Sequence, residues 1–173
     1  MRTKLSPLSI VLAFTLCCHA NYQPRFSTAG FYQMPNTGGE VFSMNPAWRM
    51  HKGHIDGAEK KEFNDKDWKV CSLPDGTELL PSEASGCVNY QGETWYRKHF
   101  KPVETWRGSR LTLHFEAIMG KSKVWINGKL LTEHKGGYLP VIVDITNELL
   151  YNEDNVITVV SDNSDDASFP PGK

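Results

Sequence analysis

The sequence predicts an all-β protein, an antiparallel β-sandwich of the jelly-roll kind. Three observations predict it. No window sustains an apolar stripe at helical spacing. Roughly eight short runs follow one another at close spacing, several alternating apolar and polar residues. Turn residues punctuate those runs, most sharply Asn127-Gly128, Gly136-Gly137 and Pro140.

The elements follow in chain order. Residues 21–44 are rich in Pro, Gly, Ser, Thr and Gln without periodicity and read as a flexible tether. Trp48 to His51 alternates and reads as the first strand. Phe63 to Trp68 (FNDKDW) is a polar turn between aromatics, and Trp68 to Leu73 is a strand stopped by Pro74-Asp75-Gly76. A long loop, Pro74 to Gln91, precedes the strand-forming run Thr94 to Phe100. Between Arg110 and Ala117, Leu111, Leu113, Phe115 and Ala117 share one strand face. Val124 and Ile126 then oppose Lys123 and Trp125 on a strand that ends at Asn127-Gly128, the two positive-φ positions of a type I′ hairpin turn. Lys129 to His134 returns, Val141 to Asp144 is a further strand, and Asn147 to Leu150 forms a helical turn. Asn155 to Ser161 (NVITVVS) is a strand apolar enough to be buried on both faces. The expected core is Leu111, Leu113, Phe115, Val124, Ile126, Ile157 and Val159.

The chain has 173 residues, a net charge of −1 and 39% hydrophobic residues, enough for one domain with a sizeable core. That charge excludes phosphate-driven nucleic-acid binding, which needs a basic face, and no like-charge run suggests a membrane patch. The N-terminus reads as a targeting segment. Arg2 and Lys4 are basic, Ile10 to Cys18 is apolar but too short to span a bilayer, and Cys18-His19-Ala20 resembles a cleavage site. Residues 1–20 are therefore expected to be a cleaved secretory signal, giving a secreted or periplasmic protein without a membrane span. A lipoprotein anchor on Cys17 or Cys18 fits less well, because Leu16 and Cys17 precede them where a small residue belongs. Beyond the signal, Cys71 and Cys87 remain, either as a disulfide or as two buried thiols.

Familiar catalytic patterns are missing: there is no Gly-x-Ser-x-Gly elbow, phosphate-binding glycine loop or His-Glu-x-x-His. His51 and His54 are weak metal ligands by context, and no metal or cofactor is expected. Asp162-Asn163-Ser164-Asp165-Asp166 is the densest oxygen cluster, suited to sugar hydroxyls, to Ca²⁺ or to plain solvation. Trp95, Trp106, Trp125 and Tyr138 are the aromatics able to cover a sugar's apolar face, though packing is the commoner role. Trp125 stands apart because alternation turns it away from the core.

"AWRMHKG", "FNDKDWKVCSLP", "GETWYRKHF", "SKVWINGKLLTEHKGGYLPVIVDIT" and "NVITVVSDNSDDASFPPGK" occur in that order. Together they resemble the N-terminal sugar-binding domain of family 2 glycoside hydrolases, of the β-galactosidase and β-glucuronidase type, over residues 45–173. The resemblance implies a galactose-binding-domain-like jelly roll, incomplete at its C-terminal edge because the family's Asp-x-x-Phe-Gly-Gly-Ile-Tyr-Arg-Asp-like stretch is not reached. It implies β-galactoside or β-glucuronide ligands. It also implies partner immunoglobulin-like and barrel domains, the barrel carrying the two catalytic Glu residues, so no catalytic residue is expected here. The alternative is a stand-alone secreted carbohydrate-binding module without hydrolase activity. By the resemblance, the loops after Leu73-Pro74 and at Asp162-Asn163-Ser164 reach the sugar. The candidate substrate contacts are Asp75, Asn163, Asp165 and Asp166, and Trp125 is a candidate interdomain contact. Asp75-Gly76-Thr77 departs from the family's His-Asp/Asn-Trp at the first loop.

Overall fold

The computed structural model describes residues 33–34, 40–76, 90–164 and 166. Among these residues, ten strands run in the order β1 (Gln33–Met34), β2 (Val41–Phe42), β3 (Trp48–Lys52), β4 (Lys69–Cys71), β5 (Glu93–Phe100), β6 (Thr112–Phe115), β7 (Gly120–Ile126), β8 (Lys129–Gly136), β9 (Val141–Asp144) and β10 (Asn155–Asp162). Six form one sheet, ordered β4-β3-β5-β10-β7-β8; β6 pairs with β9, and β1 with β2. Every pairing is antiparallel. The fold is the expected antiparallel sandwich.

Period-2 alternation decides which residues form the core. Trp48, Phe100, Val124, Ile126, Ile157 and Val159 of the large sheet meet Leu113 and Val141 of the β6–β9 pair in one buried cluster. Each fully buried aliphatic side chain there contributes roughly 1.5–3 kcal/mol. β10 lies at the centre, and its first six residues are all buried, as its β-branched run requires.

Asn127 (φ 50°) and Gly128 (φ 84°) form the turn between β7 and β8. The side chain of Asn127 adds what the turn alone does not need. Its Nδ2 donates to the Glu148 carbonyl and to Asn155 Oδ1, and its Oδ1 accepts from Val156 N–H. The hairpin is thereby tied to the start of the central strand.

Several expectations shift. The strand expected to reach Ala117 stops at Phe115, and Ala117 is exposed. Its partner β9 offers only four residues, so the ladder has no more backbone to pair. Leu111 and Phe115 pack on the core but are only partly buried. The Trp68–Leu73 strand contracts to Lys69–Cys71, and in place of a helical turn over 147–150 there is a turn over 145–148, closed by Glu148 N–H to the Ile145 carbonyl. The end of the supposed tether is also packed. Phe42 and Met44 join the core, and the Phe42 ring lies 5.1 Å from Trp106.

The outer face of the large sheet carries a second, smaller cluster of Ala58, Trp68, Trp95 and Val160, covered by the segment between β3 and β4. An ionic hub fastens that segment. Asp65 accepts from Arg97 Nε at 2.8 Å, Arg49 Nη1 at 3.0 Å and His99 Nε2 at 2.7 Å. Arg97 is wholly buried and also donates to the carbonyls of Ala58 and Lys60 and to Thr158 Oγ1. Buried guanidinium is tolerable only with its donors matched this way.

Candidate functional site

Antiparallel register brings one set of loops to one end of the large sheet. β3 ends at Lys52, β5 starts at Glu93, β10 ends at Asp162 and β7 starts at Gly120. Asp162 lies opposite Glu93 on one side and Lys121 on the other. The described residues of the Asp162–Asp166 cluster singled out by composition therefore sit in a polar rim at the ends of these four strands.

Each described residue of that rim is held in place. Asp162 Oδ1 accepts from the Ser164 N–H at 2.9 Å and from its hydroxyl at 2.6 Å. Asn163 acts as a clamp: its Oδ1 accepts from Gly92 N–H at 2.9 Å and its Nδ2 donates to the Tyr90 carbonyl at 2.8 Å. Asp166 Oδ2 lies 2.5 Å from Lys121 Nζ, and that pairing raises the Lys121 pKa. Gly120 (φ 82°) lets the chain pass the β10 terminus, since a Cβ there would collide with the Asp162 carbonyl. Glu93 accepts from Trp95 Nε1 at 3.1 Å and pairs with His54 Nδ1 at 2.8 Å. The hydrogen bond to Glu93, followed by that to Asp56, raises the His54 pKa.

The candidate substrate contacts do not all meet. Asn163 and Asp166 share the rim, although the Asn163 amide is spent on backbone. Asp75 lies elsewhere. Cys71 pairs with Trp48 at the far end of β3, and Leu73 N–H bonds the Asn45 carbonyl there, so the chain carries Asp75 to the opposite end of the sheet. Asp75 Oδ2 is buried without a hydrogen-bond partner. Beside it, Cys71 is a free thiol, pushed up to about 11 by burial and then by the Asp75 charge. Cys87 and Asp165 lie outside the described residues, as do residues 1–20.

Trp125 does point away from the core, and it is half-buried. Its indole stacks on Trp95, with centroids 5.7 Å apart and 19° between planes. His51 packs against Trp68 at 5.4 Å, and His54 binds two carboxylates, so the two histidines do not converge on a metal position. Among the described residues, no group of three or more His, Cys, Asp or Glu side chains could hold a metal ion, and no helix is long and apolar enough to cross a membrane.

Sequence reasoning missed Lys121, Glu93 and Tyr90. Alternation gives the face of Lys121 and Glu93, but their adjacency to Asp162 depends on β10 lying between β5 and β7. Chemically, the rim offers carboxylates held by cations or backbone donors, alongside ammonium and imidazole. Such groups accept from and donate to hydroxyls in fixed directions.

The family model described as "Glycosyl hydrolases family 2, sugar binding domain" matches residues 60–169. A beta-galactosidase of Thermoanaerobacter pseudethanolicus is 35% identical over 78% of this chain, which spans 18% of that protein. A beta-galactosidase of Bacteroides ovatus is 33% identical over 73% of the chain, spanning 16% of that protein. The solved structure of Bacteroides uniformis beta-glucuronidase 2, covalently bound to cyclophellitol-6-carboxylate aziridine, superposes with a TM-score of 0.64 at 27% identity, covering 70% of this chain and 14% of that one. A family 2 member from Bacteroides cellulosilyticus gives a TM-score of 0.63 at 28% identity, covering 71% and 18%. The chain thus spans less than a fifth of these relatives, and it belongs to the sugar-binding domain family of the family 2 glycosyl hydrolases.

Proposed function

We propose that this chain is the non-catalytic sandwich of a β-galactosidase- or β-glucuronidase-type glycosidase, secreted or periplasmic, and that its polar rim orients sugar hydroxyls. In this reading the sandwich buttresses immunoglobulin-like and barrel domains, and the barrel supplies the two catalytic carboxylates of a retaining reaction. The observation that carries the reading is the rim itself. Asp162, Ser164, Asp166, Lys121, Glu93 and His54 come together at one end of the sheet, where the chain resembles enzymes that act on sugars. The half-buried Trp125 beside Trp95 supports a further contact with a neighbouring domain.

The test is saturation-transfer NMR of the full chain with methyl β-galactoside and methyl β-glucuronide, beside an assay on the corresponding aryl glycosides. Millimolar binding that weakens at least fivefold in Asp166→Asn and Lys121→Met, with no turnover, is the expected result. Turnover, or binding indifferent to both substitutions, refutes the reading.

A further inference from the structure

A row of polar side chains crosses the inner face of the large sheet. Register sets Thr94, Ser161, Ser122 and His134 side by side on β5, β10, β7 and β8. Ser161 is satisfied, its hydroxyl donating to the Met119 carbonyl at 2.6 Å. Ser122 and His134 are not. Ser122 is 2% exposed and its Oγ has no hydrogen-bond partner; His134 Nε2 is buried and also has none. Leaving either atom unmatched is unfavourable, and native interiors avoid it. Here two such atoms occupy directly opposed positions of one ladder.

Met119 bonds Ser161 on β10 through its carbonyl and brings its sulfur against Gly137 just past β8, so this residue reaches from β10 to β8 at the start of β7. A Cβ at Gly136 would stand 3.5 Å from His134 Nε2, an ordinary contact, so the ring edge lies close against the Gly136 backbone.

We propose that Ser122 Oγ and His134 Nε2 together bind one neutral hydroxyl group, from a water molecule or from the alcohol of a small polyol. A hydroxyl both donates and accepts, as do a serine hydroxyl and, in alternative tautomers, an imidazole nitrogen, so a three-member chain closes without a net charge. One hydroxyl and one imidazole nitrogen are too few ligands for a metal ion. Bridging two orphaned groups is what buried waters do.

The test uses crystals of the full chain grown with and without glycerol. The expected result is an oxygen within about 3 Å of both Ser122 Oγ and His134 Nε2. If it stays isolated in glycerol the source is water, and if it becomes part of a glycerol molecule the site accepts alcohols; both outcomes support a hydroxyl site. A direct Ser122–His134 hydrogen bond with no third atom overturns it. In solution, Ser122→Ala should shift the His134 Nε2 resonance and lower the melting midpoint by about 5 °C. Ser122→Ala/His134→Phe, which removes both polar atoms, should recover at least half of that loss. An unmoved His134 resonance, or a double variant less stable than Ser122→Ala, refutes the proposal.

Discussion

Replacing Asp65 with Asn keeps the side chain's shape and removes the charge on which Arg49, Arg97 and His99 converge. The Asp65 side chain is 5% exposed and that of Arg97 0%, so water cannot substitute for the lost partner. Burial alone would raise the Asp65 pKa. The hydrogen bonds from His99 and Arg97 outweigh it and hold the carboxyl down at about 2, against 3.8. That difference, at 1.36 kcal/mol per unit, links to about 2.4 kcal/mol of stability. Removing one partner of a buried pair costs roughly 3–5 kcal/mol, because it also strands the other charge. The Arg97 guanidinium keeps its carbonyl acceptors in the variant, so we expect a loss of about 2–3 kcal/mol at pH 7. The sign with pH follows. A depressed carboxyl pKa stabilises the fold above the unfolded value and stops doing so as pH falls from about 4 towards 2. The assay is urea denaturation of wild type and Asp65→Asn from pH 7 down to 2. The gap should be full at pH 7 and narrow through that window. A gap below about 0.5 kcal/mol at pH 7, the size of an ordinary surface change, or one that persists unchanged in acid, refutes the hub.

Three further outcomes are expected. Lys98 is buried on the inner face, donates to the Pro46 carbonyl at 2.6 Å, and has its pKa lowered by burial to about 8 from 10.5. The unfolded chain binds the extra proton between those values, so stability should rise by about 3 kcal/mol from pH 8 to 10.5, a rise that chemical denaturation should find missing in Lys98→Met. Gly120→Ala should destabilise by more than about 3 kcal/mol, combining positive-φ strain with a clash against the Asp162 carbonyl; a melting curve within 2 °C of wild type contradicts the close approach. Asn127→Ala should cost about 2 kcal/mol in denaturant titration, since it loses a residue suited to positive φ and three hydrogen bonds, whereas Asn127→Gly should recover only the backbone share.

Strands whose pattern is local were legible in the residues alone. The Asn127-Gly128 turn, the opposite faces of Val124 and Trp125, and the two-sided burial of β10 all follow from residue type and period, because φ preference and side-chain alternation act within a few residues. The ordered motifs also carried the family. Tertiary structure decided what depends on which strands become neighbours. Placing β10 between β5 and β7 sets Lys121 and Glu93 beside Asp162, and it lines up Ser161 and Ser122 with His134. Pairing β4 on the outer edge of β3 sends Asp75 away from the residues with which it was grouped. The Asp65 hub was equally hidden, because Asp65 and Arg97 are 32 positions apart and each alone reads as an ordinary surface charge. Only the packing of the covering segment on the sheet buries both, and once water is excluded their pairing becomes obligatory.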